Sequence, residues 1–203
     1  MGVMSSESHR NAFLDTWTET SAHMFDSVVA ANRAAFAAFG VETEEESEPT
    51  ERIQPAKDLP EWHAETTAET PEELSVGDRF EFTKTLGDDD VRQFAAVSGD
   101  TNPLHLDDDF AADTRFDGRI VHGTLVGGLI SAALARVPGL VIYLSQDLEF
   151  HNPVPVGQTL TAECEIVEDL GNNQYRLTTR VFNEDEVVID GEAVILVDSP
   201  PEE

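Results

Sequence analysis

HGTLVGGLISAALARV, residues 122–137, contains no Asp, Glu, Lys or Arg before Arg136, and its reading decides the fold. A helix that is apolar on nearly every side belongs inside a protein rather than on its surface. Gly127, Gly128, Ala132 and Ala133 are small enough to let other backbone approach closely. Each of the two adjacent glycines costs about 1 kcal/mol relative to alanine in a helix interior, so packing around the segment must offset them.

The segments that could cover such a helix follow it. After Pro138-Gly139 come four strand-like runs. In residues 158–168, Leu160, Ala162, Cys164 and Ile166 alternate with Thr161, Glu163 and Glu165, as in a sheet with one wet face. Residues 172–182 alternate through Tyr175, Leu177, Thr179 and Val181, and residues 186–197 are apolar on both faces, as in a central strand. Gly171-Asn172-Asn173 and Asn183-Glu184-Asp185 supply the turns. Upstream, residues 79–86 read as a strand and residues 88–99 as a helix, with Asp88, Asp89 and Asp90 in its first turn and Gly99 as its stop. One buried helix with a run of antiparallel strands is an α+β arrangement in which the sheet wraps the helix.

Composition narrows the partners. The 203 residues contain 12 Lys plus Arg against 41 Asp plus Glu, a formal charge of −29, and the only lysines are Lys57 and Lys84. A chain without a basic footprint is a poor ligand for nucleic acid. So large a net charge strains a compact fold in dilute buffer, whereas at about 1 M salt the screening length falls to roughly 3 Å. The surface therefore reads as halophile-type. The single cysteine, Cys164, has no internal disulfide partner and suits a reducing cytoplasm. The N-terminus lacks an apolar signal core, and no run approaches the roughly 18 apolar residues of a membrane span.

Three regions follow from the pattern. Residues 1–40 hold an amphipathic helix over 10–40, with Leu14, Trp17, Met24, Val28 and Ala35 on one stripe and Gly40 at its end. Residues 41–73 are rich in Glu, Thr and Pro and read as a flexible linker. Residues 74–203 form the regular domain.

Within that domain, FAAVSGDTNPLHLDDDFA, residues 94–111, resembles the hydratase motif of the MaoC-like dehydratases, and the resemblance continues through residues 114–131 and 144–160. It implies a hotdog fold, a homodimer whose sheets join, and (R)-specific hydration of a trans-2-enoyl-CoA to an (R)-3-hydroxyacyl-CoA in polyhydroxyalkanoate synthesis or fatty-acid metabolism. It calls for no cofactor, because coenzyme A arrives as part of the substrate. The loose likeness of the N-terminal helix to phasin-like helices suggests contact with a polyhydroxyalkanoate granule or synthase. Packing on its own domain, or dimerisation, explains the stripe equally well.

Hydration needs a base for the attacking water, a proton for C2 and a donor for the thioester oxygen. Asp100 is the candidate base, with its basicity raised by desolvation in an apolar cleft, and His105 can hold the same water. Pro103 is expected to end helical geometry, so that the Asn102-Pro103 turn brings the two together, with Asn102 tying down the loop. The free N–H of Gly123 suits the oxyanion. Ser131 matches a serine that the family places near the catalytic aspartate. His122 reads as a structural residue at a helix start, and His63 and His151 stand in no partner pattern. Arg115 and Arg119 are candidates for the coenzyme A nucleotide. No Cys/His grouping has metal-ligand spacing. A hotdog acyl-CoA thioesterase, or a non-catalytic granule- or synthase-anchoring module, are the alternatives.

Overall fold

The computed structural model describes residues 57–184 and 186–199. The helix expected over 10–40 and the first part of the linker lie outside the described residues. The elements are β1 (His63–Thr66), a 3-10 turn (Pro71–Glu73), β2 (Arg79–Thr85), α1 (Asp88–Ser98), α2 (Pro103–Leu106), α3 (Asp108–Ala112), α4 (Gly123–Leu134), β3 (Leu140–Phe150), β4 (Thr159–Gly171), β5 (Gln174–Asn183) and β6 (Glu186–Asp198).

The strands form one antiparallel sheet in the order β1-β2-β4-β5-β6-β3. Alternation decides its faces: Phe80, Phe82, Leu160, Ala162, Cys164 and Ile166 are buried, while their neighbours in sequence are not. The buried face closes over Val126, Leu129, Ile130, Ala133 and Leu134 of α4. Burying a side chain such as fully covered Ile130 stabilises the fold by about 1.5–3 kcal/mol. Sheet wrapped around helix is the arrangement expected from residues 122–137 and the strands that follow, and it is the hotdog fold that the resemblance implied.

The hairpin from β4 to β5 turns at Asn172 and Asn173, both at positive φ (53° and 59°). Asn tolerates that left-handed backbone better than most side chains.

The folded domain begins before residue 74, which corrects the expected linker boundary. Residues 63–66 pair with β2 in the register His63↔Thr83 to Thr66↔Phe80, and Ala68 is buried. The segment is fastened further by a hydrogen bond from Arg136 Nη2 to Asp58 Oδ1 (2.6 Å) and by Trp62 standing edge-on to Phe82.

Helix α4 also departs from expectation. It is not covered on all sides: Thr124, Gly128, Ser131 and Ala135 make an exposed stripe. A Cβ added at Gly127 would come within 3.2 Å of Leu148 Cδ1, but one added at Gly128 would meet nothing within 4 Å. Only the first glycine serves close packing.

Candidate active site

Helix α1 ends where Gly99 takes a left-handed backbone (φ 78°) and returns its N–H to the Ala95 carbonyl. Asp100 follows at once. Its carboxylate accepts from Asn102 N–H at 3.3 Å, and Asn102 Oδ1 in turn accepts from Leu104 N–H at 3.1 Å. Asn102 thus caps α2, the single turn that carries His105, as its loop-tying role requires. Pro103 does not end helical geometry but opens α2 at its first position, where a missing N–H costs nothing. The expected approach of Asp100 and His105 is reached by a different local route.

His105 Nδ1 donates to the Ile120 carbonyl (2.8 Å), which leaves Nε2 as the free nitrogen. His122 Nε2 donates to the backbone carbonyl of Asp100 (2.9 Å), and the two imidazoles stack with centroids 3.9 Å apart. One potential ligand atom from each of Asp100, His105 and His122 lies within 4.8 Å of the others, so carboxylate and imidazole face one common space. His105 and His122 are buried, whereas Asp100 is exposed, which corrects the expectation of a carboxylate in a dry cleft.

His122 is the residue whose part sequence reasoning missed. It occupies the N-cap position of α4 without a side-chain cap bond, and its Nδ1 is buried with no partner among the described residues. A histidine immediately before a glycine at a helix start was the available signal.

The N–H groups of Gly123 and Thr124 precede the first intrahelical bonds of α4 and have no acceptor among the described residues. A Cβ at Gly123 would lie 2.9 Å from Phe150 Cε1, so any larger residue there displaces the Phe150 ring.

Two cavities meet this helix start. One, of about 270 Å³, is lined by His105, Arg115, Phe116, Gly123 and Phe150. The other, of about 540 Å³, is lined by Phe82, Phe94, Thr124, Leu125, Gly128 and Ser131, and is the more apolar. Phe94, in the second, packs against the His122 ring at 4.9 Å between centroids.

The remaining candidates divide. Arg115 lies over the Phe116 ring (4.8 Å) in the first cavity and has no carboxylate partner within ion-pair distance among the described residues. Arg119 is not available to a ligand. It bonds Asp88 (2.6 Å), Asp108 (2.7 Å) and the His105 carbonyl (3.3 Å), so it clamps α1, α2 and α3 together. Donating to Asp88 and Asp108 raises the guanidinium pKa further, and accepting from Arg92 and Arg119 holds Asp88 below the usual carboxylate range. Ser131 lines the apolar cavity, and no hydrogen bond joins its side chain to that of Asp100. Besides the Asp100 cluster, Glu149, His151 and Asp190 also bring three possible ligand atoms within 4.8 Å of one another, with His151 Nε2 2.6 Å from Asp190 Oδ1.

A sheet-wrapped helix whose free N–H groups meet a carboxylate and two imidazoles defines a hotdog protein with a polar site at the helix start. Residues 68–190 match the model of the MaoC like domain, and the chain belongs to that family. It is 42% identical over 129 residues to the 3-hydroxybutyryl-CoA dehydratase of Methylorubrum extorquens, covering 62% of this chain and 82% of that one. It is 44% identical over 126 residues to the (R)-specific enoyl-CoA hydratase of Aeromonas caviae, covering 60% and 94%. Among solved structures, the R-hydratase PhaJ1 from Pseudomonas aeruginosa superposes with a TM-score of 0.62 at 47% identity, covering 64% of this chain and 86% of that one.

Proposed function

We propose that the protein is an (R)-specific enoyl-CoA hydratase that adds water across the double bond of a trans-2-enoyl-CoA. The observations that carry this reading are that ligand atoms of Asp100 and His105 lie within 4.8 Å of each other, and that His105 lines one cavity with Gly123, whose N–H has no acceptor among the described residues.

The mechanism follows from what each group can do. A neutral His105 with its proton on Nδ1 presents a lone pair at Nε2, and the Asp100 carboxylate presents another acceptor. A water donating to both is oriented and partly deprotonated as its oxygen attacks C3. The π electrons move to the thioester oxygen, where the Gly123 N–H at the positive end of α4 stabilises the enolate. The proton taken from water returns to C2, so the net change is H–OH added to C=C. Asp100 is exposed in the single chain. Bound substrate then supplies the drying that strengthens these contacts. No cofactor enters the scheme.

The two cavities suit the two ends of such a thioester. Arg115 offers a cation for the coenzyme A phosphates, and the apolar cavity along α4 offers a place for the acyl chain. Arg119 is excluded from this role by its carboxylate clamp.

Several wider features belong to the same reading. The free edge strand β3 exposes Leu140, Ile142, Tyr143 and Leu144, which suits pairing with a second copy into a homodimer. The described residues contain no helix long and apolar enough to cross a membrane. With one buried free cysteine, this accords with work in the cytoplasm. The −29 charge suits high salt. Product delivery to polyhydroxyalkanoate synthesis, with residues 10–40 contacting a granule or synthase, extends the same reading.

The test is to follow crotonyl-CoA in high salt by loss of the conjugated enoyl-thioester absorbance and by release of free thiol. Hydration removes the first without producing the second. Thiol release would identify a thioesterase, and neither signal would leave an anchoring module.

A further inference from the structure

Trp62 lies outside the family match, which begins at residue 68, yet its side chain lines the apolar cavity along α4. We infer that Trp62 is a chain-length-determining residue: it walls the far end of the acyl cavity and sets how long an enoyl chain the protein accepts. This rests on the hydratase reading above.

The cavity runs beside α4 from Thr124, next to the Gly123 N–H, to Arg136 near the helix end. The helical part of this run, Thr124 to Leu134, rises about 15 Å at about 1.5 Å per residue. A thioester oxygen held at Gly123 directs one end of the substrate towards Arg115 and the other towards this cavity. The cation suits the anionic nucleotide, so the hydrocarbon takes the side lined by Phe94, Leu125, Gly128 and Phe82. Gly128 and Ser131 leave that side open, since nothing stands within 4 Å of a Cβ built on Gly128.

Trp62 closes the other end. Its ring stands edge-on to Phe82 (centroids 5.5 Å, 71°), and the Arg136 guanidinium lies 6.0 Å from it. The segment that carries it is fixed on both sides: Arg136 bonds Asp58 before it, and β1 pairs with β2 after it. The indole N–H is buried without an acceptor among the described residues, so packing against apolar surface holds the ring rather than a polar anchor. A large, rigid ring at the end of an apolar cavity excludes methylenes that a smaller side chain would admit.

The experiment compares kcat/KM for crotonyl-CoA, trans-2-octenoyl-CoA and trans-2-dodecenoyl-CoA in the full chain and two variants. Trp62→Ala raises the dodecenoyl-to-crotonyl ratio by at least about 10-fold, and Gly128→Leu, which fills the middle of the cavity, lowers it by a similar factor. Gly128→Leu keeps the test open if Trp62→Ala does not fold. Unchanged ratios in a folded Trp62→Ala, or in Gly128→Leu where Trp62→Ala does not fold, overturn the inference while wild-type hydration leaves the function standing. If the wild type hydrates none of the three substrates, the function fails and the inference with it.

Discussion

The ring of His122 lies 3.9 Å from that of His105, tilted from it by 31°. Each ring holds a different backbone carbonyl, His105 that of Ile120 and His122 that of Asp100. The stacked pair therefore ties the loop before α2 to the loop before α4, and so fixes the acid relative to the helix start. His122→Phe keeps a ring but leaves the Asp100 carbonyl without its donor, a loss of about 0.5–1.5 kcal/mol in stability. In this variant kcat on crotonyl-CoA is expected to fall while KM changes little. Wild-type kcat in a folded variant would remove His122 from the positioning scheme.

Gly123→Ala places a methyl against the Phe150 ring at 2.9 Å and shifts the N–H assigned to the thioester oxygen. Removal of such a donor costs about 100- to 1000-fold in rate. Thermal melting separates this loss from unfolding: the variant is expected to melt within a few degrees of wild type and to be nearly inactive.

Arg115 and Arg119, four residues apart, should fail differently. Arg119→Ala breaks the clamp on Asp88, Asp108 and the His105 carbonyl, lowering the melting temperature as well as activity. Arg115→Ala removes a cation with no ion-pair partner among the described residues and is expected to raise KM for coenzyme A thioesters with melting unchanged. The reverse pattern would exchange their roles.

The outer face of the sheet carries a row of facing charges: Glu65↔Glu81↔Glu163↔Arg180↔Asp190↔Glu149. Burial first, then the carboxylates of Glu163 and Glu65, raises the pKa of Glu81 above its ordinary value. A raised folded value favours the neutral acid, so Glu81 contributes stability below its unfolded pKa and loses it as pH rises through the folded one. At pH 7 and low salt, Glu81→Gln is expected to melt higher than wild type, with the difference shrinking in about 1 M salt. A lower melting temperature for the variant under the first condition would contradict this reading of the row.

The helices and strands with regular patterns were legible in the sequence because burial writes periodicity into them. Ile130 and Leu134 mark α4, Leu160 to Ile166 mark β4, and Gly99 and Asn172 mark the ends of α1 and β4. Strand β1 left no such trace, since all four of its residues are exposed and its pairing with β2 is made by backbone. The exposed stripe on α4 was hidden for the opposite reason: Gly128, Ser131 and Ala135 fit a close-packed helix as well as an open cavity. Asp100 and His105 were legible through their motif. The clamp on Arg119 was not, because Asp88 is 31 residues away and charge pairing has no spacing rule.

The central claim is that Asp100 and His105 activate one water. Its most direct measurement is kcat for crotonyl-CoA hydration in wild type, Asp100→Asn, His105→Ala and the double variant, each checked for folding by circular dichroism. Each single variant is expected to lose at least about 100-fold. The double variant should lose far less than the product of the two, as groups acting on one water do. Near-wild-type turnover in either folded single variant would contradict the account.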